Sequence, residues 1–457
     1  MKSVKKYFLF FFLFFMGIIS FIFFYKSYKT KSVYTASDYI HIGEHFGKKR
    51  DLKRAIGFYE KALHLEKNNL DALVLLASAC FNTGQYENSV DYFKKAYNLS
   101  PNSKEFLYQM GRIFYLKLHN LEDAIWAMEE YKKFDKNSVN AYITLHDCYA
   151  KLGDFKKALK NQQERYDLLI SQGLVGPLEK EWDGSEVKNK VILLRDNVGI
   201  GDVFCWLRFA KKLKQQGAIV VLEVRKFLIP ILAKSGCIDY LIPKGAKLPK
   251  FDYQMTIGKM PDLLTKIEGD LKTEIPYMNA DKKLIKIWGE KLAQDKKFKI
   301  GVCWDPFAYK DAKGVLRENK RAMPLSFLLP LSKLKNVSLY SLQRVNGTEQ
   351  LESVGRDFNI KIFSKDFDKT NGSFSDTAAV MKNLDLVITV DTSVAHLAGA
   401  LGVPVWMMLP LVCDWRWLSD EHTTILYPTM RLFRQKILGD WEHVINDVYY
   451  ELSKIVR

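Results

Sequence analysis

Residues 385–406 read DLVITVDTSVAHLAGALGVPVW, and this stretch decides the fold of the C-terminal half. The apolar run at residues 386–390 predicts a buried strand, and polar residues follow it at once, before a helix that runs to Leu401. A strand that ends in a polar turn and enters a helix is typical of one step in a parallel α/β sheet. We therefore expect a sheet edge lined with polar side chains.

The first residues of that helix are candidates for binding phosphate. Thr392 and Ser393 open the helix, where hydroxyls and backbone N–H groups can hold a diphosphate. His396 lies one turn further on, on the same face as Thr392. It either hydrogen-bonds a phosphate or ribose, or is an ordinary histidine within the helix, and the residues alone favour neither role.

Two further strand-and-helix series precede this stretch. In one, predicted strands at residues 300–304 and 337–342 flank a polar loop. In the other, an apolar run at residues 191–194 leads into a turn that contains Gly199 and Gly201, where backbone can approach a ligand closely. Asp202 comes next, at the start of a helix and at the sheet edge where α/β folds bind ligands, and can accept a proton from an attacking hydroxyl. The alternative is a plain helix cap.

The N-terminal half contains an internal repeat. The small residues Ala55, Ser89, Ala124 and Ala158 recur at spacings of 34, 35 and 34. This period, with its helix-turn-helix pattern, resembles the tetratricopeptide repeat. The resemblance implies about four stacked units whose concave face holds an extended peptide or a partner protein.

Residues 7–25 are apolar, rich in phenylalanine and uncharged, which predicts a single transmembrane helix of about 28 Å. A signal peptide is the alternative, but no small-residue cleavage pattern comes after the segment. Positive charge around residues 48–54 favours keeping the C-terminal side in the cytosol. We therefore expect a single-pass protein of the inner membrane with a cytosolic catalytic part.

The net charge of +17 is compatible with nucleic acid, anionic lipid or anionic substrates. The lysines are dispersed and form no basic stripe interleaved with aromatic residues, so we expect no nucleic-acid partner. The six cysteines lie far apart and not at zinc-binding spacing, so we expect buried thiols and no metal.

The C-terminal half resembles the heptosyltransferase-like glycosyltransferases, which are two-lobed enzymes of the GT-B type. The resemblance rests on residues 385–406, 199–202 (GIGD), 341–343 (SLQ), 414–417 (DWRW) and 427–428 (YP). It is strongest to the bacterial branch that carries tetratricopeptide repeats ahead of the transferase. Ser393 departs from the glycine of classical heptosyltransferases, so the donor sugar stays open.

The resemblance implies an inverting, metal-independent transfer of sugar from a nucleotide donor, which is a substrate, so that no cofactor is needed. Asp202 matches the proposed general base, and a basic loop before Pro324 would neutralise the leaving diphosphate. The residues expected to bind the nucleotide sugar are Gly199, Gly201, Arg317, Arg321, Gln343, Glu349, Asp391, Thr392, Ser393 and His396.

The predicted fold class is therefore α + α/β. The expected order is a transmembrane anchor with basic flanks at residues 1–31, tetratricopeptide repeats at 36–170, a linker at 171–188, an N-terminal Rossmann-like lobe on the acceptor side at 189–296 and a C-terminal Rossmann-like lobe on the nucleotide-sugar side at 297–457. The predicted function is a membrane-anchored glycosyltransferase acting on a glycan, a lipid-linked glycan or a protein. The alternative is a catalytically inactive repeat scaffold with a degenerate transferase domain.

Overall fold

The computed structural model describes residues 34–176, 178–261, 274–306, 320–355, 358–418 and 422–456. The chain divides into two compact units, of which the first ends at Ile113 and the second begins at Phe114. The boundary falls within the helical part of the chain, because helices precede and succeed it.

In the first unit, the described residues form antiparallel helix pairs. Side chains of Thr35, Asp51 and Asn69 accept hydrogen bonds from N–H groups of the first turn, which fixes where three of the helices begin. Ala55 and Ala62 are completely buried and allow neighbouring helices to approach closely. The helices are α1 (Ala36–Lys48), α2 (Leu52–Leu65), α3 (Leu70–Asn82), α4 (Tyr86–Leu99) and α5 (Lys104–Ile113).

The second unit begins with more helices of the same kind. A π-helical turn at Phe114–Leu118 leads into α6 (Leu121–Phe134), α7 (Val139–Lys151) and α8 (Phe155–Ser171). His146 packs where α7 crosses α8, and its Nδ1 lies 3.1 Å from the Ala158 carbonyl, to which it donates. The helix pairs therefore continue the 34-residue period into this unit.

A four-stranded parallel sheet comes next, in the order β3-β2-β1-β4. Its strands are β1 (Val191–Arg195), β2 (Ile219–Val224), β3 (Tyr240–Pro243) and β4 (Tyr253–Thr256). Helices α9 (Ile200–Gln215) and α10 (Ile229–Leu232) pack against this sheet. The next helix, α11 (Lys282–Leu292), packs instead against the helix Ser375–Met381 in the last part of the chain. The central strand β1 is apolar on both faces because helices and loops cover both sides.

The last part of the chain forms a six-stranded parallel sheet in the order β10-β9-β8-β5-β6-β7. Its strands are β5 (Phe298–Cys303), β6 (Val337–Ser341), β7 (Ile360–Lys361), β8 (Leu386–Val390), β9 (Val405–Leu409) and β10 (Met430–Arg434). The helices are α12 (Leu329–Ser332), α13 (Gln350–Ser353), α14 (Ser375–Met381), α15 (Ser393–Ala400) and α16 (Trp441–Ile455). The strand order reverses between β5 and β8, and ligands of such sheets bind at the carboxyl ends of the strands there.

The two sheets share one hydrophobic core within the second unit. Helix α9 of the first sheet packs against α15 of the second. Buried Arg208 of α9 donates to the Leu426 carbonyl at 2.9 Å, which ties the two layers together. The carboxyl ends of both sheets consequently meet around α9 and α15.

The predicted transmembrane helix, and with it the inner-membrane location, is corrected by the structure. Across the described part of the chain, which starts at residue 34, we find no helix with the length and apolar character that spanning a bilayer requires. The predicted segment itself, residues 7–25, lies outside the described residues. The fold class is therefore a tetratricopeptide-repeat-like helical region and, after it, a parallel-sheet α/β region.

Candidate functional site

A cavity of about 830 Å³ lies at the carboxyl ends of the two sheets. One wall is the turn before α9, and the other is the start of α15. The predicted site residues that line it are Gly199, Gly201, Asp202, Arg321, Gln343, Asp391, Thr392, Ser393 and His396. Glu349 is not part of this lining, and Arg317 lies outside the described residues.

Asp202 caps the start of α9 and also lines the cavity. It is the third residue of α9, and its Oδ2 accepts from the backbone N–H of Gly199 at 3.2 Å. Its Oδ1 accepts from Nη1 of Arg416 at 2.5 Å. The two roles weighed from the sequence, helix cap and cavity carboxylate, therefore do not exclude each other.

Arg416 is a site residue that sequence reasoning missed. It lies in a 3-10 turn, Trp415–Trp417, and its guanidinium binds Asp414 through Nε at 2.8 Å and Nη2 at 3.1 Å. Its guanidinium carbon lies 5.4 Å from the centre of the Trp206 ring. The signal available in the sequence was an arginine between two tryptophans, in the same stretch that carries the family resemblance.

The start of α15 is open toward the cavity. Its N-cap residue, Thr392, makes no side-chain hydrogen bond to the first-turn N–H groups. Its hydroxyl lies instead 3.2 Å from that of Thr389. The N–H groups at Ser393 and Val394 therefore border a space where a helix N-terminus favours an anion.

His396 and Asp391 form a buried pair at the base of the cavity. His396 Nε2 lies 3.8 Å from Asp391 Oδ1, and His396 Nδ1 lies 3.0 Å from the Tyr427 hydroxyl. Burial lowers the pKa of His396 well below the usual value, and the guanidinium of Arg416 lowers it further. Burial raises the pKa of Asp391, against the lowering effect of Arg321. The histidine is consequently neutral near pH 7.

Glycine is needed where the two sheets meet. A Cβ atom on Gly201 would lie 2.8 Å from His396 Cδ2 and 3.5 Å from Ser393 Cα. Contacts under 3.0 Å are closer than carbon atoms tolerate, so any larger residue would displace His396 or separate the helices. Gly201 therefore permits the close approach of α9 to α15.

Gln343 lines the cavity but directs its amide into the protein. Its Oε1 accepts from the backbone N–H groups of Trp304 at 3.0 Å and Asp305 at 3.1 Å. Its Nε2 donates to the carbonyls of Asp305 and Asn346, both at 2.6 Å. This geometry fixes the loops after β5 and β6 and leaves the amide no spare donor for a nucleoside.

Further cations surround the cavity. Arg321 is half exposed, with Nη1 3.6 Å from Asp391 Oδ2. Arg225 binds Asp196 through Nε and Nη2, and Arg344 donates to the Phe367 carbonyl at 2.7 Å. Neither Arg225 nor Arg344 was predicted as a site residue. In the part of the chain that the structure describes, no group of three or more histidine, cysteine or acidic side chains is arranged to bind a metal.

Comparison with known proteins identifies the repeats. A family model described as anaphase-promoting complex, cyclosome, subunit 3 matches residues 48–131. Protein FlbA of Caulobacter vibrioides is 21% identical over 436 residues, which cover 82% of this chain and 71% of FlbA.

Two solved structures are similar to part of the chain. MamA (41-end) from Desulfovibrio magneticus RS-1 is 24% identical, covers 29% of this chain and 75% of MamA, and has a TM-score of 0.27. YrrB, a TPR protein with an unusual peptide-binding site, is 22% identical, covers 32% of this chain and 74% of YrrB, and has a TM-score of 0.28. The helix pairs repeat about every 34 residues, and the family model matches the same region. This chain is therefore a tetratricopeptide-repeat protein, as predicted.

Proposed function

We propose that this protein is a glycosyltransferase that transfers sugar from a nucleotide donor to a hydroxyl of a glycan, a lipid-linked glycan or a protein. One observation carries the proposal: a carboxylate, Asp202, and the open N-terminus of α15 line the same cavity. The cavity volume of about 830 Å³ is in the range of small-ligand sites and suits a nucleotide sugar.

The donor would bind at the second sheet. The N–H groups at Ser393 and Val394 favour the negative diphosphate, and Arg321 adds positive charge at the same wall. As the bond between the sugar and the diphosphate breaks, negative charge grows on the departing phosphate, where these groups stabilise it.

The acceptor would approach from the first sheet. Its oxygen attacks the anomeric carbon from the face opposite the diphosphate, so that the new bond forms as the old one breaks. The acceptor proton passes to Asp202, which Arg416 and the Gly199 N–H hold in place. The products are the glycosylated acceptor and a nucleoside diphosphate, and neither step requires a cofactor.

The test is a panel of ADP-, GDP- and UDP-sugars, with release of nucleoside diphosphate as the readout. Asp202→Asn should lower turnover by about 10²-fold to 10⁴-fold, since it removes the proton acceptor but keeps the shape. Asp281→Asn is the matched control, because Asp281 also caps a helix and pairs with a cation, Lys234, but lies outside the cavity lining. The proposal fails if no sugar nucleotide binds, or if Asp202→Asn and wild type turn over equally.

The second candidate is a repeat scaffold whose α/β half binds a nucleotide sugar without turnover. It is favoured by the fact that both Asp202 oxygens already accept hydrogen bonds and that Gln343 has no spare donor. Under this hypothesis calorimetry would detect binding of a sugar nucleotide, and no sugar of the panel would be released or transferred.

A further inference from the structure

Tyr427 contacts His396 but is not part of the cavity lining. Its side chain is completely buried, and its hydroxyl lies 3.0 Å from Nδ1 of His396. Gly399 of α15 holds the tyrosine ring in place, since a Cβ atom there would be only 2.5 Å from it. The Cys205 thiol also adjoins the hydroxyl, but sulfur is a weak acceptor. Tyr427 therefore presents a fixed hydroxyl to one nitrogen of a ring that lines the cavity.

The neighbours of the Tyr427 hydroxyl decide where its proton goes. The Tyr277 hydroxyl lies 3.4 Å away, but it lies closer, at 2.9 Å, to the Phe204 carbonyl, which can only accept. The Tyr277 proton therefore goes to this carbonyl, and its oxygen already accepts from Nη2 of Arg208 at 3.3 Å. Nδ1 of His396, at 3.0 Å, is then the better acceptor for the Tyr427 proton. If the Tyr277 proton points to Tyr427 instead, the Tyr427 proton still goes to Nδ1.

The surroundings of the other ring nitrogen favour the same tautomer. Nε2 of His396 lies 3.8 Å from Oδ1 of Asp391, and Oδ2 of that carboxyl lies 3.6 Å from Nη1 of Arg321. The guanidinium favours an ionised carboxylate, whose oxygens can only accept. A bare Nε2 would place two acceptors opposite each other, whereas an Nε2–H group is attracted to the carboxylate. Since 3.8 Å is too long for a hydrogen bond, the carboxylate does not occupy this N–H group.

We propose that Tyr427 is a positioning residue of the cavity: its hydroxyl donates to Nδ1 of His396 and holds the neutral ring in the tautomer that carries its proton on Nε2. His396 is 3% exposed, and burial favours the neutral ring, which has a single N–H group. The ring is then a hydrogen-bond donor near the start of α15, where an anion is favoured. A phosphate oxygen accepts from such a donor, whereas a bare nitrogen would repel it. That this anion is a nucleotide rests on the proposed function, whereas the tautomer does not.

The first test is the state of the two ring nitrogens in wild type, read by ¹⁵N NMR of the full chain labelled at histidine, near pH 7. The His396 signals are assigned by their loss in His396→Gln. Nε2 should have the chemical shift of a protonated ring nitrogen, and Nδ1 that of an unprotonated nitrogen that accepts a hydrogen bond. A proton on Nδ1, or on both nitrogens, overturns the inference.

The second test is Tyr427→Phe, which removes the hydroxyl and keeps the ring that packs against Gly399. Both His396 nitrogen signals should move toward the averaged shifts of a ring that exchanges between its two tautomers. The control is Tyr340→Phe, because the buried Tyr340 also loses one hydroxyl, which donates to Asp295 at 2.7 Å, outside the cavity lining. The control should leave both signals in place, and an unchanged Nε2 signal in Tyr427→Phe overturns the positioning role.

The third test is the binding of ADP, GDP and UDP, measured by calorimetry. Tyr427→Phe should raise the Kd of the nucleotide that binds by about 3-fold to 10-fold, the effect of one weakened hydrogen bond, and Tyr340→Phe should leave it within about twofold. In wild type, this nucleotide should shift the His396 Nε2 signal more than the Nδ1 signal. Equal Kd values in Tyr427→Phe and wild type overturn the role of the tautomer in binding.

If Tyr427→Phe does not fold, the wild-type ring signals and their response to nucleotide decide the inference. A nucleotide that binds wild type without moving the Nε2 signal overturns the binding part. If wild type binds none of the three nucleotides, the proposed function fails, and the ring signals still decide which nitrogen of His396 carries the proton.

Discussion

His396 is enclosed on three sides, and each contact limits what its imidazole can do. The ring stacks on Trp417 with centres 5.2 Å apart, Nδ1 faces the Tyr427 hydroxyl, and Gly201 closes the edge at Cδ2. Burial lowers the pKa of His396 and Arg416 lowers it further; the Asp414 carboxylate acts the other way but does not reverse the shift, and neither does the buried Asp391, whose Oδ1 lies 3.8 Å from Nε2. A neutral ring can donate one hydrogen bond and accept one, but brings no charge to a bound phosphate.

We predict that His396 makes the protein sensitive to acid. Because the folded-state pKa lies below the ordinary value of 6.5, the unfolded chain binds more protons between the two values. The neutral ring therefore makes its whole contribution to the free energy of unfolding above pH 6.5. This contribution decreases as the pH falls, by up to about 1.4 kcal/mol per pH unit. Urea unfolding at several values between pH 8 and pH 5 should show a steeper loss for wild type than for His396→Gln.

The control for this prediction is His41→Gln, which replaces an imidazole whose side chain is 74% exposed. His41→Gln should give the same curve as wild type. Equal pH dependence in wild type and His396→Gln would contradict the assignment of a buried neutral ring.

At the residue scale, sequence patterns locate the residues that come directly after a strand, but not the partners that they find across the chain. Asp202, Thr392 and Ser393 were placed by the strand and helix boundaries around them, and all three line the cavity. Arg416 lies 214 positions from Asp202, and no local pattern encodes such a pairing. The nucleotide-sugar contact expected for Gln343 could not be checked from the sequence, because its amide binds the loop after β5, and tertiary contacts set the path of that loop.

At the element scale, the repeats depend on close helix crossings. In α1, Gly43 lies against Tyr59 of α2 so closely that a Cβ atom would be 2.4 Å from the ring. In α2, Gly57 has no atom within 4 Å of the corresponding position. A methyl group can therefore be added at Gly57 without a clash, but not at Gly43.

We predict opposite effects of alanine at these two glycines. Gly43→Ala should lower the free energy of unfolding by about 1 to 3 kcal/mol, since the added methyl overpacks the crossing. Gly57→Ala should raise it by about 0.5 to 1 kcal/mol, since alanine favours the helix and meets no obstacle. Thermal unfolding measured by far-UV circular dichroism reports both, and equal shifts of the same sign would refute the close crossing.

The predicted bounds of a strand match the observed bounds where polar residues flank the apolar run on both sides. Strand β8 was predicted residue for residue, as Leu386–Val390. Strand β5 begins at Phe298, two residues before the predicted start, because pairing with β6 extends it. The two-residue strand β7 and the π-helical turn Phe114–Leu118 have no periodic pattern long enough to be recognised.

At the scale of the whole second unit, both sheets present their carboxyl ends to one cavity, with α9 and α15 in contact. The six-stranded sheet reverses its order beside β8, as sheets of this class do at a ligand site. The sequence predicted each sheet from its own strands. It did not predict how closely the sheets approach, because that distance depends on contacts between distant segments, among them Gly201 with His396 and Arg208 with the Leu426 carbonyl.

We therefore predict that Gly201→Ala weakens ligand binding, whereas Gly289→Ala does not. In both variants the new Cβ would lie 2.8 Å from a neighbouring side chain, His396 Cδ2 in one and Asn383 Oδ1 in the other, so both should lose stability to a similar extent. Only Gly201 lies in the cavity lining, and moving His396 and the start of α15 should raise the Kd for a nucleoside diphosphate by about 10-fold or more. Calorimetric titration with ADP, GDP and UDP measures the effect, and equal affinity in the two variants would show that the approach of α9 to α15 does not shape the binding cavity.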